Sequence, residues 1–238
     1  MKTLTLLVFT AGLCWCGAVF AQPRDTLLDD LDHDDYDVRR EATESMLLDE
    51  TLTTDRLAAW YALADSLEAQ QRLLIVARHH FLRELRLERF PGEGPGSIGV
   101  VQSIQVAPPP PNADGRDDGP NARPPARATT FALVTRVLDG FPAAGRLRPL
   151  DRVVAVDGQT LGGPGNNQRF EDLMRRYRAN QSITLTVQRD GQTVDVVITL
   201  ANGNALGAMY AFPDFGLTAD FEPAWVEHQL QHFPSRQR

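Results

Sequence analysis

The chain has 238 residues and a formal net charge of −7, with 24 Lys and Arg against 31 Asp and Glu. This acidic balance disfavours nucleic acid and anionic lipid as partners, because both need a basic surface. Hydrophobic residues make up 42% of the chain, which is enough for packed cores, and the length suits one or two domains. Lys2 is the only lysine, so every other basic side chain counted in this charge is an arginine.

Residues 1–21 have the pattern of an export signal. Lys2 supplies a positive start, an apolar run follows, and Val19-Phe20-Ala21 offers a cleavage site. If this signal is cleaved near Ala21, we expect a periplasmic or secreted bacterial protein whose mature chain has no membrane span. The alternative is that the segment is retained as a membrane anchor. Both cysteines, Cys14 and Cys16, lie in this segment, so we expect no disulfide or cysteine site in the mature protein.

Residues 22–89 have helical spacing. Val38, Ala42 and Met46 recur at intervals of four behind an acidic cluster at residues 32–37, where carboxylates favour a helix N-terminus. Residues 54–67 and 69–87 predict a second helical pair. The pattern LDxDDYxVRxxA resembles a HEAT-type hairpin, and we expect a small helical domain that packs on the rest of the chain or binds a partner.

The sequence offers little support for metal or catalytic chemistry. The acidic cluster lacks the central glycine and distal glutamate of an EF-hand calcium loop. His228 and His232 are four residues apart, but no further ligands for zinc stand nearby. No GxSxG nucleophile turn occurs. We therefore predict no cofactor, no metal and no enzymatic activity, with an unrecognised catalytic site as the less favoured alternative.

Residues 131–158, FALVTRVLDGFPAAGRLRPLDRVVAVDG, predict two strands around a short helix. Phe131 to Val137 is apolar and rich in β-branched residues, and Asp139-Gly140 ends it. Pro142 can open a short helix, since its missing N–H costs nothing in the first turn. Val153 to Val156 forms the second strand, which Asp157-Gly158 closes.

The following segments continue this pattern. An amphipathic helix is predicted over 168–178, and strands over 183–187 and 194–200 are joined by an Asp190-Gly191 turn. In this order the elements resemble a PDZ domain of the bacterial exported type over residues 90–201, with a departure at Leu150, where that family usually has glycine. The resemblance implies an α+β fold: a PDZ-like, partly open β-barrel or sandwich capped by two helices, beside the small N-terminal α-helical domain.

The same resemblance implies a peptide-binding groove. PDZ domains add an extended peptide or a protein C-terminus as a strand between an edge strand and a helix. By position, the peptide-binding residues are Ser97, Ile98, Gly99 and Val100 in the carboxylate loop, Val101, Gln102 and Ser103 in the strand, and Arg169, Leu173, Arg176 and Tyr177 on the helix. Ile98, Val100 and Leu173 predict an apolar pocket, unless they merely complete the core, and Arg169 predicts a preference for acidic or polar ligand residues.

Two segments lie outside this pattern. Residues 107–130, rich in Pro, Gly, Asp and Arg, predict a disordered insertion, with docking of PPPP to another protein as an alternative. Residues 202–238 form an extension in which Phe221–Phe233 predicts a helix that docks through Trp225, Val226, Leu230 and Phe233, either on the helical domain or across the groove.

Two functions follow from these predictions. The favoured one is an exported, non-catalytic adaptor whose groove binds protein C-termini or extended peptides, alongside an envelope protease or assembly. The alternative is a structural interaction protein whose groove is occluded and whose helical region binds the partner.

Overall fold

The computed structural model describes residues 24–107, 129–161, 170–210, 216–218 and 220–234. The predicted export signal, residues 108–128 of the predicted insertion, and Arg169 lie outside the described residues. None of the helices within the described ranges is both long and apolar enough to cross a membrane.

The N-terminal region is helical, as predicted. It contains α1 (Arg24–Asp30), α2 (Tyr36–Leu48), α3 (Thr54–Leu63) and α4 (Leu67–Arg89). Asp35, Thr53 and Ser66 cap α2, α3 and α4 by accepting a backbone N–H through a side-chain oxygen. The acidic cluster therefore begins a helix, while the likeness of these hairpins to HEAT repeats stays a prediction.

The second part combines strands with short helices. Its elements are β1 (Gly96–Ser97), β2 (Val100–Ala107), β3 (Thr129–Val137), β4 (Arg152–Val156), β5 (Gln159–Thr160), α5 (Phe170–Met174), β6 (Ser182–Arg189), β7 (Gln192–Thr199), β8 (Ala201–Asn202), α6 (Asn204–Met209) and α7 (Phe221–His232). The main antiparallel sheet has the order β2-β3-β4-β6-β7, with β5 paired to β4, and β1 pairs with β8 separately. The α+β class and the β6–β7 hairpin are confirmed.

Three details differ from the sequence predictions. Residues 141–147 form turns rather than a helix, because the segment is short and Gly140 and Gly145 bracket it at φ values of +76° and +74°. The predicted helix over 168–178 ends at Met174, since Arg178 pairs with Pro95 as an extended residue. The strands β2 and β3 reach Ala107 and Thr129, so the predicted insertion begins and ends inside paired strands.

The turn at Leu150 keeps a left-handed conformation without glycine. Leu150 has a φ of +76° and is 76% exposed. Its N–H donates to the Val134 carbonyl at 2.8 Å, and the Val134 N–H donates to the Asp151 carbonyl at 2.9 Å. These bonds to β3 hold the leucine in a conformation that costs an L-residue about 1 to 2 kcal/mol.

The C-terminal extension docks on the helical region. Trp225 and Phe233 of the α7 segment are buried in the core formed by α1 to α4, and the Phe233 ring meets Tyr61 edge-on at 5.4 Å. Val226 and Leu230, also predicted to dock, are instead 43% and 74% exposed, because they lie on the opposite face of α7. Of the two predicted docking surfaces, α7 therefore uses the helical one.

The helical region packs directly against the β-rich part. Arg148 makes a bidentate ion pair with Glu44 of α2, at 2.7 and 2.6 Å. The α4 helix holds the backbone of Gly140 on both sides: the Gly140 N–H donates to His79 Nδ1 at 3.1 Å, and the Gly140 carbonyl accepts from Arg86 Nε at 2.7 Å. These charge-assisted and buried bonds fix α2 and α4 against residues 139–148.

Candidate functional site

The strand β2 lies at the edge of the main sheet. Along its whole length it pairs with β3, and within the described parts of the chain no strand pairs with its other side. An edge strand exposes backbone N–H and carbonyl groups that can pair with an added strand. The register shifts between Val101 and Gln102, where a bulge bends the strand.

A cavity of about 340 Å³ lies between the start of β2 and the helix α5. Ile98 of the loop and Phe170 and Met174 of the helix give it apolar walls, and all three are nearly buried. Glu171 of α5 and Arg175, directly after it, add one negative and one positive exposed side chain. The cavity therefore accepts a small apolar group next to a charged rim.

The loop before β2 depends on a glycine. Gly99 has a φ of +75°, and a Cβ at this position would collide with the Phe141 side chain. The Ile98 and Gly99 carbonyls accept from Ala143 and Leu138 at 3.0 and 2.9 Å, so both are occupied on the protein side. The Gly99 N–H donates to the Ser97 hydroxyl at 3.2 Å, which an incoming carboxylate would have to replace.

A hydrogen bond crosses from β2 to α5. Gln102 Nε2 donates to Glu171 Oε1 at 2.7 Å, while Gln102 Oε1 is buried without a partner among the described residues. Because these two elements form the sides of the groove, we call this bond the Gln102–Glu171 bridge. An extended chain lying along β2 has to pass it.

The structure places most of the predicted loop and strand residues at this cavity. Ser97, Ile98, Gly99, Val100 and Gln102 line it. Val101 packs on a separate cluster around Phe141 and Tyr210, and Ser103 lies farther along β2. The peptide-binding role of all these residues stays a prediction.

The helix residues are arranged differently from the prediction. Leu173 is 1% exposed within the sheet core, Tyr177 packs against that core, and Arg176 bonds to Gln159 at 3.0 Å, away from the cavity. Arg169 lies outside the described residues, so its predicted ligand preference stays a prediction. The walls of the cavity come from Phe170, Glu171, Met174 and Arg175, which the sequence prediction did not select.

The apolar stripe of this helix explains the difference. Phe170, Leu173, Met174 and Tyr177 recur at helical spacing, and the stripe is wide enough to face both the sheet and the groove. Leu173 faces the sheet, and Phe170 and Met174 face the cavity. Leu206 of α6 also lines the cavity, and nothing in its local sequence signals this.

The described residues contain no group of three or more His, Cys, Asp or Glu placed to hold a metal ion.

Comparison with protein families gives one match, to the family described as PDZ domain, over residues 118–200. Residues 118–200 are a PDZ domain. The match begins before β3 and ends after β7, so it leaves out β2 and the loop at residues 97–99 that precedes it. Strand β2 nevertheless belongs to the same sheet, because it pairs with β3. PDZ domains bind extended peptides at a sheet edge.

Solved structures that match the chain include the HtrA-type protease AlgW with decapeptide, at 24% identity and a TM-score of 0.31, covering 44% of this chain. A variant of that protease with decapeptide matches at 23% identity and a TM-score of 0.31, covering 51% of this chain. This chain spans 29% and 33% of their lengths. No curated protein matches the chain.

Proposed function

We propose that the protein is an exported, non-catalytic adaptor whose PDZ groove binds protein C-termini or extended peptides by β-strand addition. The observation that carries the proposal is the unpaired edge of β2 beside the cavity formed with α5. A peptide strand on this edge would gain main-chain hydrogen bonds, and the cavity would select one of its side chains.

The cavity favours a ligand that ends in an apolar side chain. Ile98, Phe170 and Met174 supply an apolar surface, and a volume of about 340 Å³ leaves room for a large apolar side chain such as leucine or phenylalanine. Ser97, Ile98 and Gly99 of this loop line the cavity, and the Gly99 N–H can donate to a ligand that replaces the Ser97 hydroxyl. A terminal carboxylate is the ligand group that such a loop binds best.

The adaptor role and the export rest on the sequence. The segment at residues 1–21 has the pattern of a cleavable signal, and no nucleophile motif accompanies the PDZ domain. An envelope protease or an envelope assembly is the class of partner that fits an exported peptide-binding module.

Peptide binding can be tested by fluorescence polarisation on a library of labelled decapeptides, each made with a free C-terminal carboxylate and as the amide. We expect apolar C-termini to bind and amidation to weaken binding about tenfold, a change of roughly 1.4 kcal/mol. Arg175→Glu reverses a charge at the cavity and should weaken the same peptides several-fold. Arg176→Glu is the matched control, because its side chain bonds to Gln159 away from the cavity.

Gly99 and Leu173 are unsuitable positions for a binding test, because neither can be substituted without disturbing the fold. Gly99 has no room for a Cβ and Leu173 is 1% exposed, so substitution at either residue tests folding rather than binding. Equal loss of binding in Arg175→Glu and Arg176→Glu would argue against the groove as the binding surface. Absence of binding across the library would favour the occluded alternative, in which the Gln102–Glu171 bridge keeps the groove closed and the helical region binds the partner.

A further inference from the structure

A second cavity lies where the helical region meets the PDZ domain. Its volume is about 270 Å³, and it lies between the end of α2, the helix α4 and the turns at residues 141–146. His79, Arg83 and Arg86 of α4 all line it. They occupy positions i, i+4 and i+7, which place them on one face of the helix.

Arg86 is buried without a counter-ion. It is 6% exposed, and it forms no ion pair with any described residue. Its Nε donates to the Gly140 carbonyl, and its guanidinium lies 5.6 Å from the centre of the Phe141 ring. A buried cation needs compensation, and one carbonyl and one aromatic ring compensate it only in part.

Arg83 adds a second guanidinium with unused donors. Its Nη2 donates to the Glu50 carbonyl at 3.1 Å, but its Nε is buried and has no partner among the described residues. Arg146 contributes a third guanidinium from the PDZ side of the cavity. Glu50 is the one acidic residue in the lining, so positive side chains outnumber it.

His79 provides a neutral donor beside them. Its Nδ1 accepts the Gly140 N–H, so the neutral ring carries its proton on Nε2. Burial, and then the charges of His80, Arg83 and Arg86, lower the pKa of His79 to about 3. Burial and the neighbouring Arg83 also lower the pKa of Arg86, as expected of cations that share a site without an anion.

We propose that this cavity is a binding site for a small oxyanion, a phosphate or a small carboxylate, held by Arg83 and Arg86 with His79 and Arg146 beside them. Guanidinium groups bind both kinds of oxyanion through paired N–H donors. The apolar side chains of Leu47, Leu87 and Leu200 limit the rest of the cavity to a compact ligand. An anion bound here would contact α4 and the PDZ domain together.

The proposal can be tested by isothermal titration calorimetry with inorganic phosphate and, separately, with succinate, at constant ionic strength in chloride. The wild-type protein should bind at least one of the two, and the arm that binds distinguishes phosphate from carboxylate. Arg83→Gln should weaken this binding at least tenfold and Arg86→Gln at least as much. Arg176→Gln is the matched control and should leave the affinity unchanged, because its side chain bonds to Gln159 and lines neither cavity.

Circular dichroism of each variant establishes that it is folded, and Arg83→Gln carries the test if Arg86→Gln unfolds. The proposal is overturned if neither anion binds the wild type at millimolar concentration, or if Arg83→Gln and Arg176→Gln bind equally well. These outcomes do not depend on whether the groove binds peptides, because Arg83 and Arg86 do not line the groove.

Discussion

His79 and its neighbour His80 are buried side chains on α4, at 4% and 0% exposure. His79 Nδ1 accepts the Gly140 N–H, and His80 Nε2 lies 2.9 Å from the Met46 carbonyl. Desolvation lowers the pKa of both rings, so each is neutral in the folded protein near neutral pH. These two rings tie α4 to the PDZ domain on one side and to α2 on the other.

The buried His79 makes stability depend on pH. Its folded pKa of about 3 lies below the ordinary value of 6.5, so the unfolded chain binds more protons between these limits. The contribution of His79 is complete above pH 6.5 and falls by about 1.4 kcal/mol for each pH unit below it. Urea unfolding of the wild type between pH 7.5 and 4.5 should show this loss.

His79→Asn is the matched variant, because the amide oxygen can still accept the Gly140 N–H but does not titrate. We expect it to be less stable than the wild type at pH 7.5, with a flatter dependence below pH 6.5. If the two proteins lose stability in parallel, His79 is not the titrating group.

His79, His80 and Leu150 show which features of the structure could be predicted from the sequence and which could not. The adjacent positions of His79 and His80 on a helix followed from the pattern, but their burial did not, since it depends on Gly140 and Met46 far along the chain. At Leu150 the sequence predicted a turn made without the usual glycine, or a different turn. The structure keeps the positive φ, because bonds to Val134 outweigh the local preference of leucine.

Among the elements, β2 and α5 form the two sides of the proposed peptide groove. The spacing of apolar residues predicted the helix. The edge strand, and its place beside the helix, were predicted from the resemblance to PDZ domains. The face of α5 that meets the groove was not predictable, because Phe170, Leu173, Met174 and Tyr177 are all apolar. Only packing against the sheet assigns Leu173 to the core and Met174 to the cavity.

The Gln102–Glu171 bridge should oppose peptide entry. Breaking a hydrogen bond of this kind costs about 1 kcal/mol, so Glu171→Ala is expected to tighten peptide binding roughly fivefold. Gln102→Ala should have the same effect, and the double variant should show no further gain, since both changes remove one bond. Fluorescence polarisation with the best library peptide measures all three. Weaker binding of Glu171→Ala would mean that its carboxylate contacts the peptide instead.

In the whole molecule, the described residues form three apolar cores. One lies within the PDZ sheet, one within α1 to α4, and the third joins them around Leu82, Phe141 and Tyr210. The ion pair between Arg148 and Glu44 and the bonds at Gly140 add polar contacts at the same junction. The helical region and the PDZ domain are thus packed together, as one of the two sequence alternatives predicted.

The C-terminal helix α7 should stabilise the helical region, although the two lie far apart in the sequence. Trp225 is 4% exposed and contacts the Phe81 ring of α4, with ring centres 5.7 Å apart. Trp225→Ala is expected to lower the free energy of unfolding by about 3 to 5 kcal/mol, because it leaves a large cavity. Val226→Ala, on the exposed face of α7, should change it by less than about 0.5 kcal/mol. Chemical denaturation compares them, and similar values would contradict the docking of α7.

The docking of α7 also makes the core of the helical region depend on the end of the chain. Helices α1 to α4 precede the PDZ strands, yet Trp225 and Phe233, which complete the core of these helices, follow those strands. Until α7 docks, the face of the helices that Trp225 and Phe233 cover is open to solvent. Exposed apolar surface of this kind promotes aggregation, so the docking of α7 protects the helical region from aggregation as well as stabilising it.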